Sequence, residues 1–567
     1  MIRYILTSII ILTLVIPETG KGQENNAEII KKAIRDELKR NIDSISNSSC
    51  GKPFFLSYMV RESKLMTVTA TLGAITQSSI RPSLSSSSRM LLGDYHINDE
   101  NFSFKQNSGF KVQQNIRIPR EPDYWGIRRA LWASTERIYA RACKSYQTKK
   151  MLLADNGITS DKYLISDFSK APVVKLNVPA EKMIFNQKHW EHVARKVSAV
   201  FADYPEIAAS QVAITILESA AHFINNEGTE VSFPLTNVSV LIYAYMQNEN
   251  NVSVHETFSV AALHENELPS LDSLENSCRK LINALKIKCN TEKLKEEYNG
   301  PVLFEGEPVA SLILNTFFNR NGLIAQREPL NSNAFEFRLP FEAPQYSLDS
   351  KINTQIVSKD ITIKSLSRLK EYNGEKLVGA FDVDAEGVVP PEELILVKNG
   401  MLLTLLNGRT PTFGVKKSNG HNRLNAFRGK RIYPGVVHLI SNSSYSKNEL
   451  KEQLLALAKE QENEFAYIIR QSPDVSSQLV YKIDVKTGAE SLINVGHTPI
   501  CQIKDFKKGV LFSGKEKVSN LVGNNRFSGM SVSVIAPDAI LIKELKISPA
   551  RSERKLKAPA IKSPLSD

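Results

Sequence analysis

Cysteine is scarce: there are five in 567 residues, and Cys50, Cys143, Cys278, Cys289 and Cys501 form no CxxC pair. That count excludes a disulfide-stitched scaffold, and the odd number leaves at least one thiol free or intermolecular. Cys278 and Cys289 share one helical pattern, in which eleven residues of rise set them about 16 Å apart. A disulfide needs Cα atoms within about 7 Å, so these two are not expected to pair unless the helix ends between them. The nine histidines contain no HExxH, and neither a GxSxG elbow nor a P-loop occurs. After the N-terminus no run reaches the roughly 18 apolar residues of a membrane-spanning helix. A one-sided charge is also missing. Despite a formal net charge of +12, Lys and Arg are scattered among the acids without a basic stripe interleaved with aromatics, so no nucleic-acid partner is expected.

What is present is ordinary for a folded protein: 42% hydrophobic and 23% charged residues, which excludes chain-wide disorder. The length exceeds what one hydrophobic core organises, so two domains are expected. At the N-terminus a short basic start, Met1 to Tyr4, precedes the apolar run Ile5 to Ile16. Twelve helical residues span about 18 Å, short of a hydrocarbon core of about 30 Å, so residues 1–23 read as a signal peptide and the chain as exported, periplasmic or extracellular. No cysteine follows that run to take a lipid anchor. Residues 549–567 form a basic, proline-containing tail without apolar periodicity, the pattern of a solvated, disordered end.

Between these ends the texture changes once. Residues 24–46 carry Ile29, Ile30, Ala33, Ile34 and Leu38 at helical spacing. The runs Phe54–Val60 and Leu65–Leu72, separated by polar Arg61 to Lys64, read as a hairpin, and the serines of 82–88 as a loop. Helices are expected at 124–153, ended by Asn156-Gly157, at 188–201 and at 270–287, with short strands between the last two. Asn290 to Gly300 reads as a linker. Beyond it strands dominate, at Lys351–Ile356, Thr362–Ile363, Leu394–Lys398 and Leu402–Leu406, with an Asn399-Gly400 hairpin turn and one helix at 447–464. The fold class is therefore α+β: a mixed N-terminal domain over 24–297 and a β-rich C-terminal domain over 298–548.

Several segments, in order, resemble the TldD/PmbA family, which includes proteins described as modulators of DNA gyrase. They are Pro53 to Tyr58 with Thr67 to Ala74, Gly93-Asp94-Tyr95, Asp123 to Trp132, Tyr204 to Ile207 and Asn226-Glu227-Gly228-Thr229. In the second half they are Gly300 to Gly306, Asp382 to Pro390, Leu396 to Gly400, Gly408-Arg409-Thr410-Pro411 and Ser418 to Arg423, similar to the family's glycine-rich loop. The resemblance spans nearly the whole chain after residue 23. It implies a protease-like fold with a peptide cleft inside a dimer. In active members a helix soon after the Val-Leu-Phe-Glu-Gly strand carries His-Glu-x-x-x-His, whose imidazoles hold zinc and whose glutamate activates a bound water.

Here that helix reads Val309 to Asn319. Counting from Gly306, the histidine positions fall on Leu314 and Asn319 and the glutamate on Asn315. Leucine has no donor atom, and an asparagine amide is neither a good zinc ligand nor a base near neutral pH. Active members also take a cysteine ligand from the C-terminal region, but the surroundings of Cys501 do not match that motif, and a partly buried thiol is the simpler reading. His255-Glu256 and His264-Glu265 lie an odd nine residues apart in a strand pattern, which points them to opposite faces. His189 and His192, at i and i+3 on a helix, flank a buried stripe. Neither cluster reads as a metal site. Arg409, Asn419, His421 and Arg423 are candidates to line the cleft, where the arginines would hold a peptide backbone or carboxylate, although a solvated surface arginine is the simpler reading for each. The resemblance thus implies a non-catalytic TldE/PmbA-type subunit that pairs with a TldD-like subunit or with itself as a dimer around a peptide substrate, with no cofactor in this chain and zinc in a partner subunit. The alternatives are a metallopeptidase with relocated ligands and a peptide-binding or scaffolding module of the envelope.

Overall fold

The computed structural model describes residues 21–45, 50–103, 116–247, 253–318, 322–331, 347–425, 429–471, 478–495, 499, 501–507, 509–521 and 530–549. Residues 1–20 of the expected signal peptide and 550–567 of the expected tail lie outside that set.

The N-terminal half is an eight-stranded, mostly antiparallel sheet. Its centre is three long strands, Phe55–Thr71 against Ala74–Leu91 on one side and Ile207–Asn225 on the other. Two sequence expectations need correction. Arg61 to Lys64 do not turn the chain: the strand runs through them, and the reversal comes at Leu72-Gly73, both with positive φ (48° and 78°). The serines of 82–88 are strand, not loop, because register with the long partner decides. Ser86 and Ser88 face inward at 2% and 3% exposure, alternating with outward neighbours. Short polar side chains fit an inward face where packed elements leave little room, a context invisible to local propensity.

Every second residue of the first long strand points to one face, and four helices cover that face. Leu56, Tyr58 and Val60 meet α1 (Lys21–Ser44) and α2 (Tyr124–Asp155). Met66, Val68 and Ala70 meet α3 (Gln187–Ala199) and α4 (Leu271–Asn290). α2 begins at Asp123, whose carboxylate accepts the Gly126 N–H, and stops at Asn156, as the sequence signals predict. A disulfide joins Cys143 of α2 to Cys50, with Cα atoms 5.5 Å apart. Cys278 and Cys289 remain free and buried in α4. The opposite face of the sheet, at Met59, Ala221 and Phe223, packs on Val383 and Ala385 of the second half.

The C-terminal half is two six-stranded sheets with the largest apolar core between them. The expected Asn399-Gly400 turn is present, both residues at positive φ (47° and 80°). Lys351–Ile356 is not a strand: a single 3-10 turn, Leu348–Lys351, occupies its start. The expected linker is shorter by four residues, because α4 still holds Asn290 and Tyr298 already opens the strand Tyr298–Glu305. That strand leads into α5 (Glu307–Phe317), and α6 (Lys447–Glu460) covers the outer face of the same sheet. Among the described residues no helix is long and apolar enough to cross a membrane.

Candidate functional site

α5 is built by a sharp change of direction. Gly306, at φ 73°, donates its N–H to the Asp538 carbonyl at 2.7 Å, and Pro308 sits in the first turn, where its missing N–H costs nothing. The helix has two sides. Val309, Ile313 and Phe317 are buried in the core between the sheets, while Ser311, Leu312 and Asn315 line a cavity of about 730 Å³. The far wall of that cavity comes from the N-terminal half: Glu256 and Thr257 of the strand Ser253–Ala262, and Lys288 of α4. Glu307, Gln471, Gln478 and Cys501 add polar groups to the lining, and Phe304, Pro308 and Pro499 add apolar ones. The helix that the family resemblance singles out therefore faces a cavity at the junction of the two halves.

Its lining mixes polar and apolar groups about equally. Lys288 forms an ion pair with Glu256 across its N-terminal wall. Burial, and then the charge of Asp505 3.6 Å from the sulfur, push the Cys501 thiol well above its usual range, so the sulfur is held protonated. Zinc needs deprotonated sulfur, imidazole or carboxylate donors. Leu314 packs half-buried against the core, Asn315 presents an amide, and Asn319 lies outside the described residues. Among the described residues no three His, Cys, Asp or Glu side chains gather as a metal site. This donor set does not fit zinc. His189 and His192 are both exposed on α3, and His264 is paired with Glu181.

The four proposed cleft residues sit elsewhere. Arg409 and His421 are each 1% exposed and do not face open space. Arg409 donates from Nη1 and Nη2 to Glu227 at 2.6 and 2.7 Å and from Nε and Nη2 to the Ser169 carbonyl, and its guanidinium lies 4.0 Å over the Phe168 ring. A buried guanidinium needs such a partner, because an unpaired charge away from water is costly. Partly buried Arg423 donates to the carbonyls of Pro434 and Ser531. Asn419 braces its own loop through the Asn407 N–H and the Leu405 carbonyl.

His421 takes part in an arrangement that resembles a catalytic triad. Its Nε2 is 2.8 Å from Ser365 Oγ, and its Nδ1 is 3.0 Å from Asn419 Oδ1. Ser365 is 1% exposed, so no substrate reaches the hydroxyl. Burial lowers the imidazole to about 3, which keeps it neutral. It is a satisfied core histidine.

Sequence reasoning missed what joins these groups. Tyr95 donates to Glu227 at 2.5 Å, Glu227 holds Arg409, and the Arg409 N–H donates to Glu386 at 2.7 Å. Glu386 also pairs with Arg89, and neighbouring Asp384 accepts N–H bonds from Glu386, Val388 and Asn422. Burial pushes Glu386 upward, but the charge of Arg89 overrides it and holds the carboxylate ionised. Five separate segments that carry the family resemblance, around Tyr95, Glu227, Asp384, Arg409 and Asn422, thus meet in one buried latch between the halves. A second buried cluster ties Lys149 and Arg327 to Asp167. Glu227, Glu386 and Asp167 were readable only as ordinary acids. Glu227 and Glu386 lie in glycine-containing segments of the family resemblance, which was their one available signal, whereas Asp167 lies in none of those segments.

No protein-family model matches the chain, and no curated protein matches it in sequence. Solved structures do. A candidate modulator of a DNA gyrase from Thermotoga maritima is 14% identical over 92% of this chain and 99% of its own, with a TM-score of 0.52. TldE from Thermococcus kodakarensis is 12% identical over 92% and 100%, with a TM-score of 0.51. A candidate gyrase modulator from Bacteroides thetaiotaomicron is 12% identical over 93% and 99%, with a TM-score of 0.50. Near-complete coverage of both partners with so few shared residues is a likeness of fold, and the chain has the α+β fold of the TldD/PmbA type.

Proposed function

We propose that the chain is an exported, non-catalytic subunit of TldE/PmbA type. It pairs with a relative that carries His-Glu-x-x-x-His and supplies a wall of the cleft in which that partner processes peptides. The observation that carries this reading is α5. It borders a cavity between the halves, yet presents Ser311, Leu312 and Asn315 to it and buries Ile313 and Phe317 at full depth. At the positions of the zinc motif the helix is kept as packing and as cavity wall: Leu314 and Asn315 offer neither a zinc ligand nor a base, and the one acid of the helix, Glu307, lies in its first turn ahead of the motif. Its apolar residues are spent inside the chain, so they are not the contact that a partner subunit would use. Export is supported by the apolar N-terminal run and by the Cys50–Cys143 disulfide, which persists in oxidising compartments and is rare where thiols are kept reduced.

The test is co-purification with an exported relative bearing the intact motif, followed by metal analysis and a chelator-controlled peptide cleavage assay. The expected result is zinc that disappears when the partner's motif histidines are replaced, and cleavage by the pair only. Stoichiometric zinc or chelator-sensitive cleavage with this chain alone would overturn the reading. So would a chain that stays monomeric beside every exported relative.

A further inference from the structure

Two of the three tryptophans stand on the outside of one helix. Trp125 is 69% exposed and Trp132 45%, while the third, Trp190, is buried at 6%. At i and i+7 the first two lie on one stripe of α2, to the side of Ile127, Leu131, Ala142 and Leu153, which face the core. Met151, 64% exposed, continues the outward side near the other end. Trp125 is not loose: its ring lies 5.0 Å edge-on to Tyr124 and under the Arg128 guanidinium at 5.2 Å, and Arg128 is itself anchored on Glu37. An indole held rigidly in solvent is an apolar group prepared for a surface.

The solvent side of α2 as a whole is basic, and that charge selects the surface. Besides Arg128 and Lys149, which are engaged inward on Glu37 and Asp167, α2 exposes Arg129, Arg137, Arg141, Lys144 and Lys150. Its only acids are Glu136 and Asp155. Tryptophan settles at the headgroup level of a bilayer, where its apolar ring and N–H are both accommodated, and neighbouring cations gain from anionic headgroups. A second copy of the chain would set this basic face against itself.

We propose that the outer face of α2 is a binding surface for an anionic phospholipid bilayer, which holds the protein flat on a leaflet without insertion of a helix. The inference stands apart from the reading of α5, since it needs neither zinc nor a partner subunit. The test uses the exported chain as the cell processes it, with vesicles of phosphatidylcholine alone or with added phosphatidylglycerol. Co-sedimentation with the anionic vesicles and a blue shift of tryptophan emission are expected, with neither on neutral vesicles, and the binding should weaken as salt rises. Arg129→Glu/Arg137→Glu/Arg141→Glu should weaken partitioning by more than about tenfold, and Trp125→Ser/Trp132→Ser should abolish the blue shift. Buried Trp190 reports that each variant is folded. Failure to bind anionic vesicles overturns the proposal, as does binding that neither variant changes. If the two indoles become shielded only when a zinc-bearing relative is added, the face belongs to a protein partner and the lipid reading falls.

Discussion

At the scale of single residues, burial decides what a side chain is for. Arg409 reads in sequence as a cation beside a glycine, suited to bind something negative. It does so, but the anion is Glu227, 182 residues earlier in the same chain. Arg409→Ala should cost about 2–4 kcal/mol in a denaturant titration, because it takes the two-pronged partner from the partly buried Glu227 carboxylate, leaves the Ser169 carbonyl without its donors and empties a buried site. Arg409→Lys should not restore the loss, since a point charge replaces neither the two-pronged contact nor the stacking on Phe168. His222, 4% exposed, gives a pH dependence. Burial, and then the charge of Lys31, lower its imidazole to about 4 from the ordinary 6.5. A depressed folded value means that the native state resists the proton. That stability is complete above about pH 6.5 and is lost as the pH falls towards 4. At pH 5 the cost is about 2 kcal/mol. His222→Leu should remove that share of the acid limb, read as a flatter melting temperature between pH 7 and 5.

At the scale of elements, the most legible were those with strong ends. α2, α3 and α4 were readable within a few residues because caps and an uninterrupted apolar stripe act locally. The long strand Phe55–Thr71 was not, since nothing local distinguishes a polar turn at Arg61 to Lys64 from a strand that continues with polar residues outward. Partner strands on both sides settle it through register. α5 was located by motif, but its orientation was not legible. Ile313→Ala should cost about 2–5 kcal/mol, because the side chain fills the core between two sheets that cannot collapse onto the gap. The Cys50–Cys143 bond closes a separation of 93 residues. Cys143→Ser should lower stability by about 2–5 kcal/mol, and a reductant should lower the melting temperature of the parent but not of the variant.

At the scale of the whole molecule, a helix-covered sheet and a pair of packed sheets are fastened by buried ionic contacts, with a cavity beside α5 at their junction. Calorimetry should show one cooperative transition for the parent chain and two for Arg409→Ala, because the latch couples the halves more tightly than a polar interface alone would. The sequence by itself determined the fold class, most helices, the inability of Leu314 and Asn315 to hold zinc and the separation of Cys278 from Cys289. Each of these follows from the kind of residue or from local spacing. Only the tertiary structure decided that Arg409 and His421 face inward, that Cys50 reaches Cys143, that Trp125 and Trp132 stand in solvent, and that Ser311 and Asn315 rather than Leu314 line the cavity. Those outcomes depend on which distant surfaces cover each side chain. That is a property of packing between segments far apart in the chain, and no local pattern encodes it.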